Sequence, residues 1–453
     1  MFAFLWAGAA LFHRAQYAHW AGSPLELAES FCALLVLLRP SSLPAFLGLV
    51  VLQLAQNTVL LPHVSNHTLL LWFMSLSIML SAIVLAARGT LGRAGLYQSF
   101  APALRLELLL LYFWVVFQKL NPDFFDAPIS CAGNLLDKLG VMLGLGALPV
   151  FARGLAVWGT LLTEAAIPLL LIPRRTRWMG IGLGLLFHFG VGLALFFDFS
   201  SLLFACYALF APEALPERLA RLGRRIGEGL GMPRTSPWWA SGLLGAGLLV
   251  GVLVLLAESW SASKHLAWLL WWVWGIGAIA LFAAVTPWRE TGLARAGAML
   301  DLRPRWLLIV PALVFLNGAS PHLGFKTEHS FAMFSNLRTE GGESNHLLIP
   351  ASLQVFDYQR DLVRVTASSD PALRRRTRFS GLMPWAELRS HVSAAAARGE
   401  RDIRIQFERD GERVDIDAAE RHPELSRPHR FPLSKLLWFR EIVSDRTRQF
   451  CRH

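Results

Sequence analysis

The sequence predicts a mainly α protein: a polytopic transmembrane helix bundle over residues 1–318 and a small soluble α/β domain over residues 319–453. Three observations predict it. Of the 453 residues, 54% are hydrophobic and only 17% are charged, where a soluble globular chain carries about a quarter charged residues. The shortage of charge is confined to residues 1–317, after which the composition is ordinary. Arginine-rich connections also alternate with arginine-poor ones along a series of apolar runs.

The bundle is read first. A spanning helix needs about 20 mostly apolar residues. The runs 41–62, 68–87, 106–120, 153–173, 179–198, 238–257 and 266–287 meet that need, and 1–13, 27–38, 201–213 and 306–318 are shorter candidates. Together they give about ten or eleven helices, with 140–151 as a candidate re-entrant segment. The first run, Phe2–Phe12, has no positive charge ahead of it, which argues for a first helix rather than a cleaved leader. Gly180-x-x-x-Gly184 and Gly247-x-x-x-Gly251 hint at close helix packing. General glycine enrichment of membrane helices is the simpler reading of both.

Orientation follows from the connections. One set holds Arg39, Arg88, Arg93, Arg105, Arg174, Arg175, Arg177 and the arginines of 218–234 and 289–305; the other holds little beyond Arg14, Lys138, Arg153 and Lys264. The rich set is expected in the cytoplasm. The 62–67 corner, the 120–152 loop and everything after 318 are then expected outside an inner (cell) membrane, so the C-terminal domain is expected to be extracytoplasmic. In that domain, Leu353–Val365 reads as strand and Trp385–Ala397 as a helix entered through Pro384. Ile403–Phe407 and Val414–Ile416 flank Asp410-Gly411, a type I′ hairpin signal. Leu433–Val443 reads as a final amphipathic helix.

Several function classes lose support. The net charge of +11 sits in short clusters between apolar runs rather than on a basic stripe with stacking aromatics, so no nucleic-acid partner is expected. No GxxxxGK[ST], HExxH, GxSxG or strand-borne GxGxxG occurs. Cys32, Cys131, Cys206 and Cys451 form no CxxC pair, and no metal site is expected from spacing. A disulfide between Cys131 and Cys451 is compatible with the topology but not signalled by spacing.

The candidate chemistry lies in polar groups within apolar runs, where polarity is costly. Lys119 ends the span Leu108–Lys119 and is one of five lysines against thirty-eight arginines. Burial can hold a lysine amine neutral, as arginine cannot be, and a neutral amine is a general base. A lysine snorkelling to the interface is the competing explanation. His67 starts the span 68–87 at the same face; it can shuttle a proton or stabilise an oxyanion, or simply sit beside the helix cap at Ser65 or Asn66. Glu164 and His188 lie mid-span and are expected to face the interior, where they pair with each other or flank a cavity. Gln53, Gln56 and Asn57 read as interhelical hydrogen bonding.

Three stretches carry a family resemblance. Tyr112-Phe113-Trp114-Val115-Val116-Phe117-Gln118-Lys119-Leu120-Asn121-Pro122-Asp123-Phe124-Phe125 resembles the aromatic–apolar–Lys-Leu–acidic–aromatic segment of vitamin K-dependent γ-carboxylases. Asn66-His67 resembles an Asn-His of the same enzymes. Phe331–Glu340 with Ser344-Asn345-His346 resembles a segment of bacterial relatives, the horizontally transferred transmembrane domain (HTTM) proteins. The resemblance covers roughly residues 1–350. It implies Lys119 as the base that deprotonates a reduced quinone (a vitamin K hydroquinone-like quinol), with His67 assisting. Oxygen then adds to give the epoxide and a strong alkoxide, and carbon dioxide is the further cosubstrate when a peptide glutamate is carboxylated; no metal or biotin takes part. Asn66, Tyr112 and Trp114 from these stretches, with the buried Glu164 and His188, are the candidates to bind the quinol. The expected partners are the lipid bilayer and a lipid-soluble quinol, with a peptide or protein substrate if carboxylation occurs. The tail after 318 has only 135 residues and nothing resembling a propeptide site, which favours quinol epoxidation without carboxylation. Two other readings remain: a transporter or channel with Glu164 and His188 along its pathway, and a non-catalytic membrane scaffold with the tail as its binding module.

Overall fold

The computed structural model describes residues 1–17, 23–146, 148–211, 215–229, 260–285, 299–300, 304–444 and 448–451. The expected run 238–257 and Gly247–Gly251 lie outside the described residues. The bundle comprises α1 (Phe2–Tyr17), α2 (Pro24–Leu38), α3 (Leu43–Leu60), α4 (Asn66–Ala87), α5 (Arg93–Phe117), α6 (Pro122–Phe125), α7 (Cys131–Met142), α8 (Val150–Leu171), α9 (Arg177–Val191), α10 (Phe197–Ala208), α11 (Leu215–Gly229), α12 (Trp260–Val285) and α13 (Ile309–Ala319). Serines and an asparagine start several of them: Ser42, Ser65, Asn121 and Ser130 each accept a backbone N–H of the first turn.

Among the described residues, six helices are long and apolar enough to cross a membrane, and the chain is a multi-pass membrane protein. One of the six, Arg177–Ala208, is a hairpin rather than a rod. Ala194 leaves helical geometry and Leu195 takes φ 70°, which reverses the chain between α9 and α10. Gly184 consequently lies against the ring of Tyr207, where a Cβ would come within 2.3 Å; in a straight helix the two would be ~34 Å apart. Two helices are therefore present where runs were expected at 179–198 and 201–213, but the break between them falls at 192–196, inside the first run, and 212–213 lie outside the described residues. Gly180 lies against the backbone of Leu170 and Leu171 of α8, where a Cβ would come within 2.8 Å, whereas Gly184 makes room for a side chain. The run 140–151 forms no helix of its own: α7 ends at Met142 and α8 begins at Val150. Helices α1, α2 and α13, with 16, 15 and 11 residues, are shorter than a full span, and so is each arm of the hairpin, α9 with 15 and α10 with 12.

The two ends of the bundle differ chemically. At one end arginines satisfy backbone carbonyls: Arg105 donates to Leu209 O just past α10 and to Met299 O, and Arg177 donates to Leu171 O and Ile172 O at the end of α8. At the other end sits the C-terminal region. It holds a four-stranded antiparallel sheet in the order β2-β1-β3-β4, built from β1 (Leu362–Ser368), β2 (Leu382–Pro384), β3 (Ile405–Arg409) and β4 (Glu412–Ile416). Short helices α14 (Pro371–Arg376) and α16 (Leu433–Leu436) and the longer α15 (Trp385–Ala397) complete it. The core is Val363, Leu373, Leu388, Val392, Ile405 and Phe407, to which α15 contributes its buried face. Asp410 and Gly411 both take positive φ, 52° and 81°, as a type I′ turn requires.

Two tail expectations are corrected. Residues 353–361 form no strand, because Val355 N and Phe356 N are both spent on Leu323 O; the strand begins at Leu362. The helix at 433–443 stops at Leu436. Beyond it Trp438 O accepts from Thr327 N and Glu328 N, and Arg440 N donates to Thr327 Oγ1, so this stretch is stapled flat against 327–328. Cys131 and Cys451 form a disulfide that ties the chain's end to the start of α7.

Candidate functional site

Lys119 lies in the turn between α5 and α6, and that turn is pinned on both sides. Gln118 donates to Gly318 O and Ser330 O. Asn121 caps α6 at Phe124 N and donates to Gln118 O and Ser335 O. His346 meets Phe117 O at 2.9 Å, and Asn345 donates to Asp123. Lys119 does not snorkel to the interface: it is 1% exposed, as the burial reading expects. Its Nζ stands 2.7 Å from Glu164 Oε2 on α8 and donates to Val115 O, with the Phe124 ring 5.8 Å below it. The contact with Glu164 is at ion-pair distance although outside good hydrogen-bond angles.

Glu164 and His188, expected as a pair, have other partners. Glu164 faces Lys119. His188 on α9 meets the Tyr112 hydroxyl at 2.9 Å, and that hydroxyl also makes a short hydrogen bond with Tyr207 of α10. His188 is within electrostatic reach of Lys119, and Tyr112 of Glu164. Lys119, Glu164, Tyr112, His188 and Tyr207 therefore form one buried polar patch across α5, α8, α9 and α10.

The remaining site candidates lie elsewhere. Trp114, two residues on from Tyr112, points to the opposite side of α5, against Gly318, where a Cβ would come within 2.1 Å of the indole. Asn66 is spent on Phe331, whose backbone N–H it accepts at 2.7 Å. His67 meets a different carboxylate: its Nε2 is 2.8 Å from Asp198 Oδ2, and Ser65 Oγ is 3.1 Å from its Nδ1. No hydrogen bond or ion pair joins Lys119 and His67 among the described residues. The ring of Phe199 stands between the two centres, 5.2 Å from His188 and 5.8 Å from His67. His13, at 3.7 Å from Asp198, and Tyr17, next to His13, complete the second centre.

The segment over the Lys119 turn is conformationally unusual. His329, Phe331, Phe334 and Asn336 all have positive φ, between 37° and 60°, though none is glycine. Such residues persist where surrounding contacts over-determine them, often at functional sites. Here those contacts include the bonds from Asn66, Gln118 and Asn121, and the Asn336 amide, which accepts from Cys131 N and donates to Ile129 O and Gln449 O. Burial disfavours the charged form of the tail groups beside this segment. Burial pushes the Lys326 amine down to about 7, and its Nζ lies 2.8 Å from His329 Nδ1. Burial, with the His346 and Arg440 charges, pushes His322 down to about 3.

Asp198, His13 and Tyr207 were not among the sequence candidates. Asp198 did carry a signal, an isolated acid within Phe196-Phe197-Asp198-Phe199. His13 and Tyr207 carried none, because their importance depends on which helices meet. Compared with known proteins, the chain matches no family model, no curated protein and no solved structure.

Proposed function

We propose that the chain is a membrane-embedded enzyme acting on a lipid-soluble quinol, with the Lys119–Glu164 pair accepting the quinol proton and molecular oxygen converting the quinolate to its epoxide and water. The observation that carries this reading is the burial of Lys119 beside a carboxylate, 2.7 Å from Glu164. The pair shares one proton and is neutral whether that proton sits on nitrogen or oxygen. When it accepts a second proton from the quinol, the resulting positive charge lies beside the quinolate it has just created. That compensation suits a low-dielectric site, where an isolated quinolate would be too costly. Exclusion of water also protects oxygenated intermediates.

Access from the bilayer is consistent with the packing. Glu164 retains 9% exposure on α8, whose outer face carries Leu155, Trp158, Leu162 and Leu169, each more than half exposed. A quinol arriving through lipid would meet this helix first. The three stretches that resemble the carboxylase and HTTM families also meet around the Lys119 turn, through the Asn66–Phe331, Asn121–Ser335, Asn345–Asp123 and His346–Phe117 contacts. The proposal ends at the epoxide and includes no carboxylation. We further infer that the tail is extracytoplasmic. It lies at the end opposite the arginine-rich loops, and the Cys131–Cys451 disulfide belongs in an oxidising compartment.

The test supplies reconstituted protein with vitamin K hydroquinone and oxygen and measures epoxide from native protein, Lys119→Ala and Glu164→Gln. Epoxide from native protein and a loss of at least a hundredfold in Lys119→Ala is expected. Equal epoxide from all three removes the pair from the chemistry.

A further inference from the structure

Three side chains on three separate helices converge at the tail-facing end of the bundle. His13 comes from the C-terminal part of α1, one residue before its last turn, His67 from the first turn of α4 and Asp198 from the first turn of α10. One donor atom from each lies within 4.8 Å of the other two. His67 Nε2 and His13 Nδ1 approach the same oxygen, Asp198 Oδ2, at 2.8 and 3.7 Å. Two donors bound about 2.1 Å from an ion stand about 3.4 Å apart at the tetrahedral angle, so this spacing suits a shared ion.

Two further observations point to a ligand. Asp198 is 2% exposed, and neither of its oxygens has a hydrogen bond of good geometry among the described residues. A carboxylate buried this deeply needs positive charge beside it, and an ion shared with the two imidazoles at 2.8 and 3.7 Å would supply it. Ser65 Oγ also lies 3.1 Å from His67 Nδ1 and 3.2 Å from its Nε2. With Nε2 taken by an ion, Ser65 would be left to Nδ1, the outer hydrogen bond that orients a ligating imidazole. The His13 side chain remains 25% exposed, which leaves a way in for an ion.

We propose that His13, His67 and Asp198 bind one first-row divalent transition cation. Two imidazoles and one carboxylate suit zinc or ferrous iron; they suit neither calcium and magnesium, which want all-oxygen shells, nor copper(I), which wants thiolates. Three protein ligands leave coordination positions open. The site is independent of the quinol reading, because it shares no residue with the Lys119–Glu164 pair.

The test uses the full chain, purified in detergent without a histidine tag, stripped with chelator and dialysed against Zn²⁺ or Co²⁺. One equivalent of zinc per chain by elemental analysis is expected, and Co²⁺ should give the visible absorption bands of a low-symmetry protein site. His67→Ala and Asp198→Asn should each weaken binding at least a hundredfold, and Ser65→Ala about tenfold, the loss typical of an outer partner. Size-exclusion profiles and circular dichroism check that the variants fold. Substoichiometric zinc and no cobalt bands in native protein overturn the proposal, whatever the variants do. So does equal metal content in native protein and a folded Asp198→Asn variant; the cluster is then a histidine–aspartate proton pair.

Discussion

Breaking the Lys119–Glu164 pair from one side should cost far more than removing both halves. At 2.7 Å and an effective dielectric near 20, the attraction is about 6 kcal/mol. Against it stands a desolvation penalty of several kcal/mol for each ion. The intact pair therefore contributes little net stability, whereas either half alone is a buried uncompensated charge. Lys119→Met and Glu164→Leu should each destabilise the bundle by about 3–5 kcal/mol, while the double variant should return to within about 1 kcal/mol of native, or exceed it. The assay is reversible unfolding in mixed micelles, read as a double-mutant cycle. Single variants as stable as native protein would mean that the amine is hydrated. Losses that simply add in the double variant would mean that the two groups do not interact. The double variant also separates stability from chemistry: on this account it folds and makes no epoxide.

Other consequences are as direct. The Lys326 amine is held down to about 7 by burial, against ~10.4 in an unfolded chain. Between those values the unfolded chain binds a proton that the folded chain does not. Its full cost is therefore present below pH 7 and is relieved as pH rises. Lys326→Met should be more stable than native protein at pH 7, with the gap narrowing by about 2 kcal/mol toward pH 9 in pH-dependent unfolding; a gap that ignores pH contradicts that burial. With the tail outside, an added protease should cut at the exposed Arg404 in intact spheroplasts and not in inverted vesicles, and the opposite pattern reverses the topology. If the buried polar patch instead conducts protons, liposomes should show proton flux that Glu164→Gln abolishes; the enzyme account expects no flux from native protein. Serine at Cys451 should leave the fold intact but loosen residues 448–451, which Asn336 and Asp123 still hold, so proteolysis near Arg448 should rise severalfold without loss of epoxide.

The architecture was legible because its signals are local. Apolar runs and arginine-rich loops fixed α3, α4, α5, α8 and α12 to within a few residues, except that α5 extends well upstream of its apolar run to Arg93. Asp410-Gly411 marked the hairpin, and Pro384 the start of α15. Local signals failed where backbone groups are claimed by distant segments. Residues 437–443 have a helical pattern yet lie extended, because Thr327 and Glu328 take their hydrogen bonds. Lys119 was legible as an oddity, a lysine at a helix end in an arginine-rich chain. Its partner was not, because either Glu164 or His188 satisfies the rule that a mid-span polar group faces inward. Only the packing of α8 against α5 decides for Glu164. The His13–His67–Asp198 cluster was invisible for the same reason: its ligands are far apart in sequence and share no spacing motif.

Chemical rescue tests the central claim most directly. Lys119→Ala removes the amine and leaves a buried space beside Glu164 that a small exogenous amine can occupy. Epoxide formation from the quinol should be lost in this variant and return as methylamine is added, rising with the concentration of free amine and saturating. Wild-type epoxide formation by Lys119→Ala with no amine present would contradict the account outright.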